Sequence, residues 1–261
     1  MIKKHLDLNS GRDRGRIYRV VPTNWTATKR QMPGDASSEE LVKMLGHSNG
    51  WHRDTAARLI VERSQRDAKL KEQFSQLLTK EFETSNEPQA QIRSLYCLRS
   101  IDRLSESMLV KALHDEHGQV RRHALKLVET AVYYSEATTS RLRELASDDD
   151  ILVRYQLALT VGEFDNRVRT ETLGALASKD GDYDRMQFAI LSSVGADRVE
   201  MLEKLPSLST PLANKLLAHI GRDGTHIAQA LYTLEQRPEP VKRNAYAQLL
   251  LGTGRRGEEL L

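Results

Sequence analysis

One arrangement of residues recurs along this chain at a fixed interval. In 115–129, DEHGQVRRHALKLVE, the residues Val120, Ala124, Leu127 and Val128 fall on one face of a helix, and Arg121 directly follows the first of them. In 148–162, DDDILVRYQLALTVG, Val153, Leu157, Ala158 and Val161 repeat the pattern, and Arg154 stands 33 residues after Arg121. Another such step reaches Gln187 in DRMQFAILSSV, and two steps back, within a residue or two, lies Arg53 in GWHRDTAARLIVE. A period of this length describes a small unit that cannot bury its own apolar face and must stack on copies of itself. The pattern predicts an all-α chain built as an elongated array.

At 261 residues the length suits two ordinary domains or one solenoid, and the period favours the solenoid. Aromatic residues make up only 5% of the chain while Leu and Ala are plentiful, as expected where thin helices stack closely. The net charge of +3 is unevenly spread. Residues 1–30 hold eight Lys or Arg against two Asp, a local +6, which leaves −3 for all the rest. A slightly acidic array is a poor general phosphate binder, which needs clustered positive charge to release counterions. The lone cysteine, Cys97, allows no internal disulfide. No apolar run approaches the roughly 18 residues of a membrane span. The opening MIKKHLDLNSGRDRGR lacks the apolar segment of a secretory signal, so nothing is expected to export or anchor the chain as written.

Residues 1–34 differ from the rest of the chain. RIYRVV at 16–21 alternates and is rich in β-formers, which predicts one short strand needing a partner from elsewhere. Residues 21–34, with Pro22 and Pro33, form a linker. Helices are expected throughout 35–261, beginning with a cap at Ser37 or Ser38 and ending near residue 251, about seven helix pairs in all. Gln91 takes the arginine's register in the second pair, and Lys242 echoes it in the last. Ser209 is expected to open a late helix with Pro211 in its first turn, and Arg141 is placed on the solvent face of a first helix.

The Asp…Val-Arg…Ala…Leu pattern resembles the HEAT repeat, two antiparallel helices per unit stacked into a superhelix. Six stretches extend the likeness: GRDRGRIYRVVP, HSNGWHRDTAARLIVER, IRSLYCLRSIDRL, VRRHALKLVE, VRYQLALTVGEF and MQFAILSSV. They are similar to the region after the β-propeller in the large membrane-bound dehydrogenases of planctomycetes and their relatives. GWHRDTA is the most specific of these segments. The resemblance implies that RIYRVV is the closing strand of a propeller, and that the neighbours are a propeller and a cytochrome-like domain. It also implies an extracytoplasmic setting. The family commonly carries haem c on a CxxCH domain, but Cys97 lies in CLRSI, so no cofactor is expected on this chain.

Arg53, Arg121 and Arg154 invite two readings. Each could donate to turn carbonyls or to an aspartate such as Asp115, Asp148 or Asp150, tying neighbouring units through charge-assisted bonds. Alternatively they could form an anion site. Periodic recurrence suits the architectural role, because one catalytic centre needs no ladder. Trp51 and His52 form a possible interaction cluster beside Arg53. His114 and His117, three apart, with His123 nearby, raise the idea of a metal, but Gly118 breaks the helix between them and no HExxH is present. Cys97 suits a small buried hydrophobe. No nucleophile has a recognisable base, so no catalytic residue is assigned.

The expected function is therefore a non-catalytic HEAT-repeat scaffold that binds a protein or holds neighbouring domains. By the resemblance it is a fragment or relative of a sugar-dehydrogenase-like electron-transfer protein. A nucleic-acid-binding HEAT-like protein is the alternative, motivated by the basic first 30 residues and the arginines. A HEAT-like phycobilin lyase ranks last, since no acid-base pair supports it.

Overall fold

A computed structural model describes residues 20–26, 32–130 and 134–254. Fourteen α-helices make up these residues, after a short 3-10 turn at Pro33–Asp35. They pair in order: α1 (Ser38–Met44) with α2 (Gly50–Arg66), α3 (Ala68–Thr84) with α4 (Pro88–Ser100), and α5 (Glu106–Leu113) with α6 (Gly118–Val128). The next pairs are α7 (Glu136–Leu145) with α8 (Ile151–Thr160), and α9 (Asn166–Asp180) with α10 (Asp184–Ser193). The last are α11 (Arg198–Lys204) with α12 (Pro211–Asp223), and α13 (Ile227–Glu235) with α14 (Glu239–Thr253).

Local chemistry sets the helix ends. Ser37 caps α1 through a capping box, its hydroxyl accepting from the Glu40 N–H and the Glu40 carboxylate from the Ser37 N–H. Asp67 ends α2 and caps α3, accepting from the Lys69 N–H at 2.7 Å. The cap of α12 is Thr210 rather than Ser209. Pro211 lacks an N–H and occupies the first helical position, so the residue directly before it supplies the side-chain acceptor, here to the Ala213 N–H at 3.2 Å.

Two layers result. Second helices pack on second helices from α2 through α10, and first helices run alongside as the other layer. Residues directly before the arginine register, Val120, Val153 and Met186, are buried between units. One core cluster joins α1 to α4 around Leu41, Ile60, Phe74, Leu78 and Leu98. A second runs from Phe82 to Leu249, and Leu104 and Met108 pack against both. The apolar interior therefore extends along the array, as stacking of small units requires.

The expected strand finds no support. Residues 16–19 of RIYRVV lie outside the described residues, while Val20 and Val21 are exposed and no strand occurs among the described residues. Among the described residues no second edge supplies ladder hydrogen bonds to those two valines.

Near the other end, α12 and α14 meet backbone to backbone. A Cβ added at Gly221 would lie 2.1 Å from the Leu249 carbonyl oxygen, and one at Gly252 would lie 2.3 Å from that of Ala218. Each glycine is the residue that permits this approach.

Candidate functional site

The periodic arginines repeat one geometry. Arg53 Nη1 donates to the carbonyls of His47 and Ser48 at 2.6 and 2.9 Å. Arg121 Nη1 donates to those of Asp115 and Glu116 at 2.8 and 3.0 Å, and Arg154 Nη1 to those of Asp148 and Asp149 at 2.6 and 3.2 Å. Each guanidinium thus closes the turn that leads into its own helix. Gln187 does a shortened version of the same thing, Nε2 donating to the Gly181 carbonyl at 2.8 Å.

The other edge of the guanidinium reaches into the next unit. Arg121 forms a two-point contact with Asp148, Nε to Oδ2 and Nη2 to Oδ1, both at 2.7 Å. Arg154 does so with Asp180, at 2.6 and 2.8 Å. The Arg154–Asp180 pair is the more enclosed, its side chains only 8% and 3% exposed. Gln91 replaces the ion pair by an amide, donating to Asp115 Oδ2 at 3.1 Å. Arg53 stops at its own turn, and its Nε has no partner among the described residues.

Of the three aspartates proposed from the sequence, Asp148 is the one that engages an arginine of the ladder through its side chain, and the other two occupy different places. Asp115 accepts from Gln91 of the preceding unit and, through Oδ1, from the His117 N–H at 2.9 Å. Asp150 caps α8, accepting from the Leu152 N–H at 2.8 Å, and lies against Gly118, where a Cβ would come within 2.3 Å of its Oδ2. The carboxylate that engages Arg154, Asp180, was not among the candidates. Its signal was register: Asp115, Asp148 and Asp180 recur at near-constant spacing, each opening a turn before the arginine position.

Electrostatics follow from this geometry. Hydrogen bonds to Asp148 raise the pKa of Arg121 against the opposing effect of burial. Burial alone would raise that of Asp148, but the bonds from Arg121 and from the Asp150 N–H, with the nearby charges of Arg121 and Arg141, leave it lowered. A depressed carboxyl pKa contributes stability above its unfolded value of about 3.9 and loses it as pH falls through the folded value. Acid titration of the wild type followed by circular dichroism should therefore show stability declining below about pH 4. The decline should be shallower for Asp148→Asn, in which that proton is no longer bound.

Arg141 is corrected by the structure. Its Nε and Nη2 both donate to the Leu113 carbonyl at 3.1 Å, so it is half-buried over the C-terminus of α5 rather than on the solvent face. Helix-end carbonyls attract cations in this way. Further ties join the first helices: Glu106 accepts from the Ser135 N–H and the Thr138 hydroxyl, Arg143 pairs with Glu171, and Arg169 pairs with Asp197.

Trp51 is 54% exposed and meets His52 edge-on at 5.0 Å between ring centroids; His52 in turn lies 4.4 Å from His47. The three remaining histidines considered for a metal are engaged separately. His114 Nδ1 contacts the Val110 carbonyl, His117 Nδ1 contacts Asp115, and His123 Nδ1 contacts the Tyr96 hydroxyl at 3.1 Å. No group of three or more His, Cys, Asp or Glu among the described residues is placed to hold a metal ion. Cys97 is buried, and desolvation pushes its thiol up to about 12, against a smaller opposing effect of Arg93. Burial also lowers the pKa of His123, with the charges of Lys126 and Arg122 adding to the effect.

What the arginines leave free is the outer face of the second helices. A cleft of about 670 Å³ lies between α2, α4 and α6, with Ala57, Val61 and Ile92 in its lining beside polar groups such as Arg58, Arg93 and His123. Another of about 690 Å³ lies between α8 and α10, lined by Ile151, Leu152, Tyr155, Tyr183 and Met186 together with the charged Asp184 and Arg185. Leu152, Leu159 and Phe188 on these helices are exposed. Sequence reasoning missed this face, because an apolar residue on an amphipathic helix is ordinarily assigned to the core. No described helix is long and apolar enough to cross a membrane.

The family model described as HEAT repeats matches residues 105–193, covering α5 to α10. The chain thus contains a HEAT-repeat region, and it holds the Arg121 and Arg154 ties. No curated protein sequence matches the chain.

Proposed function

We propose that this chain is a non-catalytic scaffold whose second-helix face binds a protein or a neighbouring domain. The observation that carries this reading is the division of labour among its side chains. Arg121 and Arg154 are consumed by internal carbonyls and carboxylates, while the second helices keep Leu152, Leu159 and Phe188 exposed, the last with the Lys215 ammonium over its ring. On this reading the ladder holds the curvature of the stack, and Trp51 and His52 extend the contact surface. The same reading assigns residues 35–261 to the array and makes residues 1–34 its lead-in and linker. A finer reading, supported by GRDRGRIYRVVP and GWHRDTA, makes the partners a propeller and a cytochrome-like domain of a dehydrogenase-like assembly.

The purified chain is expected to be strongly helical and colourless. It should retain a partner from a lysate of its source cells, and Leu152→Glu with Phe188→Glu should lose that partner while keeping the wild-type circular dichroism. A haem absorption band, or turnover of a sugar substrate by this chain alone, would overturn the scaffold reading.

A further inference from the structure

We infer that the face formed by α6, α8 and α10 binds a protein segment combining acidic and apolar residues, the acidic part against Arg122 and Lys126 and the apolar part in the α8–α10 cleft. The inference rests on the scaffold reading and specifies its partner.

Charge complementarity is the first support. On α2 and α4, Arg58 pairs with Glu62 at 2.6 Å and Arg93 with Asp54 at 2.7 Å, whereas Arg185 on α10 is exposed and, like Arg122 and Lys126, has no ion pair among the described residues. Arg122 and Lys126 stand one helical turn apart on α6, and neither has an ion pair among the described residues. Arg122 Nε is buried and has no hydrogen-bond partner among them. Lys126 is exposed. A carboxylate lying over α6 would meet its ammonium within the field of the neighbouring Arg122 guanidinium.

The second support is what lies beside these cations. Leu152 and Phe188 are 52% and 64% exposed, on the next two helices of the same layer. Leu159 is exposed as well, and Tyr155 is half-buried against the core. Aliphatic side chains give a nucleic-acid backbone nothing to bond, whereas they suit the leucine and aromatic anchors of a peptide.

Helix spacing then fixes the spacing of the anchors. Packed neighbours lie about 8–10 Å apart, so α6 to α10 spans roughly 16–20 Å. At about 3.3 Å per residue, an extended segment covers that distance in roughly five or six residues. A segment bound as a helix would need about 11–13.

The probe is a display library of random 16-residue peptides, panned against the full chain. Enriched peptides should carry Asp or Glu about five or six residues, or about 11–13, from Leu, Phe or Trp. Their affinity should fall on the order of ten-fold on Arg122→Glu/Lys126→Glu and again on Leu152→Asp. Lys126→Glu alone, at an exposed position, keeps the test valid if the double variant fails to fold. Enriched peptides whose binding ignores these substitutions, or that are basic, would overturn this inference and leave the scaffold reading standing. No enrichment at all would count against both. So would binding of labelled duplex DNA, or of vesicles with anionic lipid, that is lost in Lys126→Glu.

Discussion

Arg154→Ala is expected to lower the stability of the array by roughly 3–5 kcal/mol, because it strands Asp180 as a buried, unpaired carboxylate. It also removes the donor that serves the Asp148 and Asp149 carbonyls. For a chain of this size that corresponds to a fall in melting temperature of roughly 6–20 °C. The loss should begin where α8 meets α10, and hydrogen exchange there should accelerate before it does in α1 to α4. Arg58→Ala, which breaks an exposed pair one turn apart on α2, should shift the midpoint by no more than about 0.5 kcal/mol. A comparable shift for the two variants in differential scanning calorimetry would contradict the assignment.

Gly221→Val is expected to separate α14 from α12. The new Cβ would meet the Leu249 carbonyl oxygen at 2.1 Å, a backbone atom that cannot rotate away. Overpacking of this kind costs roughly 1–3 kcal/mol or more, and relief requires the two helices to part. In a stacked array each unit contacts only its neighbours, so the damage should stay local. Circular dichroism should lose helicity equivalent to the 15 residues of α14, and hydrogen exchange across 239–253 should rise sharply while 105–193 keeps its protection. Uniform loss of protection along the chain would show that the units are not independent.

Much of this architecture was legible in the sequence because the repeat exposes it. A helix pair that must stack on its copies keeps the same apolar face and the same turn, and the 33-residue step between Arg121 and Arg154 records that requirement directly. The helix starts were legible only to within a residue: the cap expected at Ser37 or Ser38 is Ser37, and the one expected at Ser209 is Thr210. The donor end of each tie could be named, but its acceptor could not always be. Arg154 follows three consecutive aspartates, and local reasoning assigned it to them, whereas the side chain reaches forward 26 residues to Asp180 in the next unit. Arg141 failed in a related way. Counting faces on its own helix could not reveal the open carbonyl end of α5 beside it. The exposed leucines were hidden by the very pattern that revealed the fold, since Leu152 and Leu159 flank the core residue Leu157 on the same short helix.

That the arginines join units, rather than forming an anion site, is tested most directly by a double-mutant cycle on Arg154 and Asp180. Stability would be measured by urea unfolding of the wild type, Arg154→Met, Asp180→Leu and the double variant. The predicted result is two single variants destabilised by roughly 3–5 kcal/mol each, a double variant destabilised by clearly less than their sum, and a coupling energy of roughly 1.5–3 kcal/mol or more. Additive effects, with coupling near zero, would mean that the two side chains do not hold neighbouring units together.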